Sequence, residues 1–304
     1  MKKSLRFVAA LSLSALTFPL FSSALASASS MQNNCIVSLS PSASATLFAI
    51  GAGPQVGAVD ENSTYPAAAA SLAAKDKINA ISPSVESIAG ICPSRFASAK
   101  PSTVIISYDA NGLSAKLKAL GITVISQNAP TTIAGAEAQM LAVGKLTGQV
   151  AGAQKLVNSL NATITKDVAS VASHSAKSLR VFYEVGTKPY YSLTSSTFIG
   201  SLLAKLGVTN IADADSTSAD AGYPSLSTEY IVKANPNLIF TADGSSVSSV
   251  ESRAGFSNVS AVKSKQIFAL NANVASEWGP QLGELMNQLT AAVKSALASS
   301  AMTK

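Results

Sequence analysis

Along the first third of the chain, apolar and polar positions alternate in short blocks. From Ile36 they run "IVSLS", then "ATLFAIGAG", then "VGAVD". A brief apolar run, a run at helical spacing closed by glycine and a second brief apolar run predict strand, amphipathic helix and strand. The loop "ENSTYP" follows, then a helix over 67–74, a loop through Pro83, a helix starting at Ser84, the strand "STVIIS", the helix "GLSAKLKAL" and the strand "GITVIS". Apolar strands this short, alternating with helices, predict an α/β fold whose mostly parallel sheet is covered on both faces.

Residues 131 to about 172 read as helix for nearly their whole length, with glycines at which the helix could be interrupted. That is too long for a crossover inside one small domain, so it reads as a spine between two lobes. After Lys177 the alternation restarts with the strand "LRVFYEV", the helix "STFIGSLLAKLG", the segment "VTNIADAD", the strands "NLIFTAD" and "QIFALN", and a last helix from Pro280 to about Leu297. The predicted organisation is an N-terminal lobe over 34–130, an interlobe helix over 131–173 and a C-terminal lobe over 178–304.

The two halves share an order of features. "LFAIGAGPQVGAVDENSTYP" leads to "SVESI" and then to a proline before "STVII"; "LLAKLGVTNIADADSTSADAGYP" leads to "STEYI" and a proline before "NLIF". Any two α/β units echo each other to some degree, but Tyr-Pro and Ser-x-Glu-x-Ile are not generic packing signals. Two similar lobes on one stiff helix would enclose a cleft at the carboxyl ends of their strands, where α/β sheets bind ligands.

Composition narrows the function classes. Hydrophobic residues make up 47% of 304 residues, enough for a substantial core, and charged residues only 12%. The formal net charge of +6 comes from scattered basic residues with no cluster interleaved with aromatics, which argues against nucleic acid as a partner. Lys2, Lys3 and Arg6 precede the apolar run "FVAALSLSALTFPLF" and the small residues "ALASAS", so residues 1–30 read as a cleavable export signal. A membrane anchor is the other reading; the run is short and broken by Ser12, Ser14 and Pro19. Outside the cytoplasm, the two cysteines, Cys35 and Cys92, read more readily as a disulfide than as free thiols. Cys35 follows "QNN" rather than small residues, so the protein reads as periplasmic or secreted and without a lipid anchor.

At this point "IVSLSPSASATLFAIGAG", "VGAVDENSTYP", "SVESI", "VFYEV", "TFIGSLLAKLGVTNIAD", "GYPSLSTEYIVKANPNLIF" and "ASEWGPQL" together resemble, in order, the exported solute-binding proteins of ABC importers that carry vitamin B12, ferric siderophores and haem. The resemblance implies two Rossmann-like lobes joined by one long rigid helix, a ligand cleft between them, a monomer without cofactor, and a membrane permease dimer as partner. In that family one surface glutamate per lobe pairs with arginines of the permease; the matching residues are Glu86 and Glu229. A two-fold permease presents the same basic pocket twice, and charge pairing orients a transient encounter. Either glutamate could equally sit in its first helical turn only to complement the helix dipole. Ala45 stands where many members have a glutamate, and "PSRFASAK" lengthens the link after Cys92. Cys35 and Cys92 both precede parallel strands, which implies a disulfide at the amino ends of that sheet, away from the cleft.

The cleft loops are expected to carry the ligand contacts: Pro41, Asn62, Tyr65, Ser82, Tyr108, Tyr190, Tyr223, Asn273 and the only tryptophan, Trp278. Aromatic faces with neutral hydrogen-bonding groups suit a large ligand rimmed by amides. Resemblance to the B12 branch carries over at Pro41, Tyr223 and Asn273 and departs at Asn62, where that branch has an aromatic, and at Glu277, where it has a basic group. Lys188 and Arg253 are the cationic residues near these loops, few for an anionic catecholate siderophore; haem remains open through Tyr65 or Tyr108 as iron ligands. A free zinc or manganese site lacks clustered His and carboxylates, with His174 the one histidine. That also disfavours a Ser-His-Asp hydrolase, and no G-x-S-x-G elbow occurs. The reading is a binding protein for a corrinoid or related metal chelate, rather than an exported enzyme or a sensor module on the same scaffold.

Overall fold

The computed structural model describes residues 34–172 and 176–302. The export segment and His174 lie outside them. In chain order the elements are β1 (Ile36–Leu39), α1 (Pro41–Ala49), β2 (Val56–Val59), α2 (Ala67–Asp76), α3 (Val85–Ala89), β3 (Thr103–Ile106), α4 (Leu113–Ala119), β4 (Thr123–Ser126), α5 (Ile133–Thr147) and α6 (Val150–Ala172). Then follow β5 (Arg180–Thr187), β6 (Tyr190–Ser192), α7 (Phe198–Lys205), β7 (Thr209–Asn210), β8 (Ser225–Leu226), α8 (Thr228–Ala234), β9 (Leu238–Thr241), α9 (Val247–Glu251), α10 (Ser260–Lys263), β10 (Ile267–Ala269), α11 (Ala272–Ser276) and α12 (Leu282–Met302).

The first half is an α/β unit with strand order β2-β1-β3-β4, and each of its pairings is parallel. Strands β1, β2 and β3 are buried along their whole length, as expected for apolar runs covered by helices on both faces. At the amino ends of β1 and β3, Cys35 and Cys92 form a disulfide with Cα atoms 6.2 Å apart, packed against Phe96.

The second sheet is mixed, with three parallel pairings and two antiparallel ones. Strand β5 pairs in parallel with β9 and β7, and β9 with β10, but β6 turns back antiparallel to β5 and then pairs antiparallel with β8. The connection from Thr187 to Tyr190 is too short for a crossover, so only a hairpin can form there.

The 131–173 segment is not one helix. Thr132 caps α5 through its hydroxyl, and α5 ends at Gly148, whose φ of 73° is the left-handed conformation glycine adopts without cost. The chain turns there, and α6 packs alongside α5. Met140 of α5 and Leu160 of α6 belong to the core of the second half, whereas Val143 and Ala153, nearer the turn, belong to that of the first. A helical hairpin, rather than a single rod, therefore spans both cores, and α12 packs along α6.

Candidate ligand-binding site

The site is built around the turn after α11. Glu277 leaves that helix in extended conformation, and Trp278 is pinned on both sides. Its backbone N–H donates to Ser42 Oγ of α1 at 3.0 Å and its indole Nε1–H to Gln139 Oε1 of α5 at 2.8 Å. Gly279 then passes so close to α1 that a Cβ there would lie 2.9 Å from the Ser42 carbonyl oxygen. The Trp278 ring is thus a fixed wall joining the C-terminal half to the N-terminal one.

Beside it is a cavity of about 300 Å³ lined by Pro130, Tyr183, Phe198, Tyr223, Glu277 and Trp278, among others. Its walls are mainly aromatic and aliphatic, and no lysine or arginine lines it. Two polar atoms in this lining are buried without a hydrogen-bond partner: Tyr183 Oη and Glu277 Oε2. Burial first, and then the neighbouring Tyr223, raises the Tyr183 phenol, whose ring packs on Phe240 at 5.8 Å between centroids. The Glu277 carboxyl is pushed up to about 7, first by burial and then by the nearby Asp60 carboxylate.

Asp60, at the end of β2, is itself fully buried. Its Oδ2 accepts from Ser63 Oγ at 2.7 Å and its Oδ1 from the Asn62 N–H at 2.9 Å. Ser63, Ser44 and Ser38 continue this as a chain of hydroxyls at 2.8 and 2.9 Å. Burial raises the Asp60 carboxyl despite these bonds. Two acids from different halves therefore lie near enough for the charge of Asp60 to act on Glu277.

Of the residues expected to touch ligand, Tyr223 and Trp278 line this cavity. Tyr65 and Asn273 line a second hollow of about 460 Å³ with Thr64, Gln281 and Glu284. There Asn273 Nδ2 donates to Thr64 Oγ1 at 2.7 Å, tying the two halves together. Pro41 begins α1, half-buried, in neither hollow. Asn62 and Ser82 are exposed and hold their own loops, Ser82 by its N–H to Asn79 Oδ1. Tyr108 is 68% exposed. Tyr190 is apart from the cavity, its ring against Phe256 and under the Arg253 guanidinium. Arg253 is engaged as well, in a two-pronged ion pair with the buried Glu184, at 2.8 Å for one prong. Tyr183, Phe198 and Glu277 were not among the expected contacts. The first two fell inside a predicted strand and a predicted helix; Glu277 carried a signal only as an acid where the resemblance implies a base.

Glu86 and Glu229 occupy equivalent stations. Ser84 caps α3 by accepting from the Ser87 N–H, and Ser227 caps α8 by accepting from the Tyr230 N–H. In each the glutamate is the second helical residue and exposed, and the isoleucine two further on, Ile88 or Ile231, is fully buried. Glu86 also accepts from Ser84 Oγ at 3.0 Å, and its carboxyl is lowered, first by a backbone hydrogen bond and then by that one. Among the described residues no group of three or more His, Cys, Asp or Glu side chains could hold a metal ion, and no helix is long and apolar enough to cross a membrane.

Known proteins fit this architecture. The model of the periplasmic binding protein family matches residues 36–274. An uncharacterized ABC transporter substrate-binding lipoprotein, YvrC of Bacillus subtilis, is 30% identical over 262 residues, spanning 85% of this chain and 79% of its own. A vitamin B12-binding protein of Vibrio cholerae is 27% identical over 262 residues, spanning 85% of this chain and 88% of its own. Among solved structures, a periplasmic haem-binding protein of Roseiflexus, RhuT, superposes with a TM-score of 0.72 at 22% identity over 87% of this chain and 99% of its own. The chain belongs to the periplasmic binding protein family, whose members are extracytoplasmic binding proteins rather than enzymes, and takes the substrate-binding role of an ABC transporter.

Proposed function

We propose that this protein captures a corrinoid between its halves and delivers it to a dimeric ABC permease. The observation that carries the reading is the cavity beside Trp278: aromatic walls, two residues with unpartnered polar atoms and no lining cation. Such a lining favours the edge of a flat, amide-rimmed ring over an anionic chelate. The cavity of about 300 Å³ takes one edge of a corrin, and the hollow at Tyr65 and Asn273 is where the remainder would lie. The B12-binding relative supports the same ligand class. Haem is the second reading, favoured by the exposed phenols of Tyr65 and Tyr108.

Delivery is assigned to Glu86 and Glu229, one on each half, exposed on helices capped in the same manner. The N-terminal segment is read as a cleaved leader and the mature protein as an unanchored monomer. Equilibrium dialysis and absorbance titration with cyanocobalamin, haem and a ferric hydroxamate test the ligand. Saturable one-to-one binding of the corrinoid is expected. Binding of haem alone would move the assignment to haem, and binding of none would sink it. Reversing both charges (E86K with E229K) is expected to abolish uptake in a reconstituted importer while ligand affinity stays unchanged; a collapse of affinity would return these glutamates to the fold or the cleft.

A further inference from the structure

Glu277 is 4% exposed, its Oε2 has no hydrogen-bond partner, and no cation lines the cavity it borders. Tyr183, fully buried on β5 and also a lining residue, carries a second unpartnered atom, Oη. A buried polar atom without a partner is costly, and that cost is relieved when a ligand supplies the missing hydrogen bond. We propose that Glu277 and Tyr183 form the polar end of a subsite that takes an uncharged carboxamide of the ligand and turns away a carboxylate.

The chemistry is complementary at both atoms. A primary carboxamide carries N–H donors, which Glu277 accepts, and a carbonyl oxygen, which accepts from the Tyr183 hydroxyl. A carboxylate in the same place has no N–H to offer and sets a third negative group beside Glu277 and Asp60. The other groups near Glu277 do not offset this: Asp60 is close enough to raise its carboxyl further, and the cavity lining adds the phenols Tyr183 and Tyr223 but no lysine or arginine. Because the Glu277 carboxyl is raised to about 7, it is protonated below that pH and repels a carboxylate most strongly above it. Glu277 is in this account a specificity-determining residue, and the assignment rests on the corrinoid reading above.

The test compares two corrins of the same ring, dicyanocobinamide with its carboxamides intact and dicyanocobyrinic acid with carboxylates in their place, at pH 6 and pH 8. A parallel pair uses haem and its bis-propionamide. The intact protein is expected to prefer the amide by about tenfold or more at pH 8, the worth of one hydrogen bond to a buried charged partner, and by less at pH 6. Glu277→Gln should reduce the preference at pH 8 about tenfold and remove its pH dependence while melting as cooperatively as the parent. Tyr183→Phe should weaken amide binding severalfold and leave the pH dependence in place. An unchanged preference in the Glu277→Gln protein, with binding intact, overturns the subsite alone. Preference for the carboxylate by the parent does the same. Absence of binding by either ring system overturns the proposed function and the subsite with it.

Discussion

Two acids, Glu184 and Glu277, are buried in the same half of the molecule and lead opposite lives. Glu184, on β5 and fully buried, receives both prongs of the Arg253 guanidinium, which in turn lies over the rings of Tyr190 and Phe256. Glu277, 4% exposed, has Asp60 nearby and no cation. The first is completed by the chain itself and holds β5 to the segment after α9. The second is left incomplete by the chain, at the edge of a cavity. A buried charge satisfied from within serves the fold, whereas one left unsatisfied marks where something from outside belongs.

The largest effect should come from breaking the completed pair. Arg253→Ala leaves the Glu184 carboxyl buried with the Ser245 hydroxyl but no cation beside it, and denaturant unfolding is expected to register a loss of about 3–5 kcal/mol. A loss under 1 kcal/mol would mean that Glu184 is relieved in some other way and would blunt the comparison.

The incomplete acid should behave in the opposite sense. The Glu277 carboxyl is raised from 4.5 to about 7, so between those pH values the folded protein keeps a proton that the unfolded chain releases. Its contribution is fully present below pH 4.5 and is lost as pH rises through about 7. Glu277→Gln is therefore expected to match the parent near pH 4.5 and to exceed it by about 3 kcal/mol at pH 8. A variant less stable than the parent at pH 8 would show that the ionised carboxylate is held by a partner.

The smallest effect concerns the repeated caps. Ser84→Ala and Ser227→Ala each remove one hydroxyl that accepts from a third-residue N–H and should cost about 1 kcal/mol apiece. Markedly unequal losses would show that the two stations, alike in geometry, are not alike in the support they draw from their surroundings.

These contrasts also mark what the sequence made legible. The Ser-x-Glu-x-Ile stations were readable because cap, acid and buried isoleucine are all fixed by spacing within one turn. The parallel strands of the first half were readable because "IVSL" and "TVII" are short runs that are apolar at three positions of four and rich in β-branched residues. The break at Gly148 was harder to see, since glycines at 135, 144 and 152 sit in the same stretch without ending a helix; only the left-handed backbone distinguishes the one that does. The antiparallel turn of β6 was hidden by the expectation of crossovers. Tyr190 read as a cleft residue from its loop, yet tertiary packing commits its ring to Arg253 and Phe256. Tyr183 and Phe198 fell inside a predicted strand and a predicted helix, and no local pattern tells a core wall from a cavity wall. The electrostatic influence of Asp60 on Glu277 joins positions far apart in the chain and exists only once both halves are assembled.

The central claim, that ligand enters the cavity walled by Trp278, is tested most directly by the fluorescence of that residue, the only tryptophan in the chain. Titration with cyanocobalamin is predicted to quench it saturably, with the midpoint and one-to-one stoichiometry found by dialysis. Full-affinity binding that leaves the Trp278 emission unchanged would contradict the account and place the ligand elsewhere on the molecule.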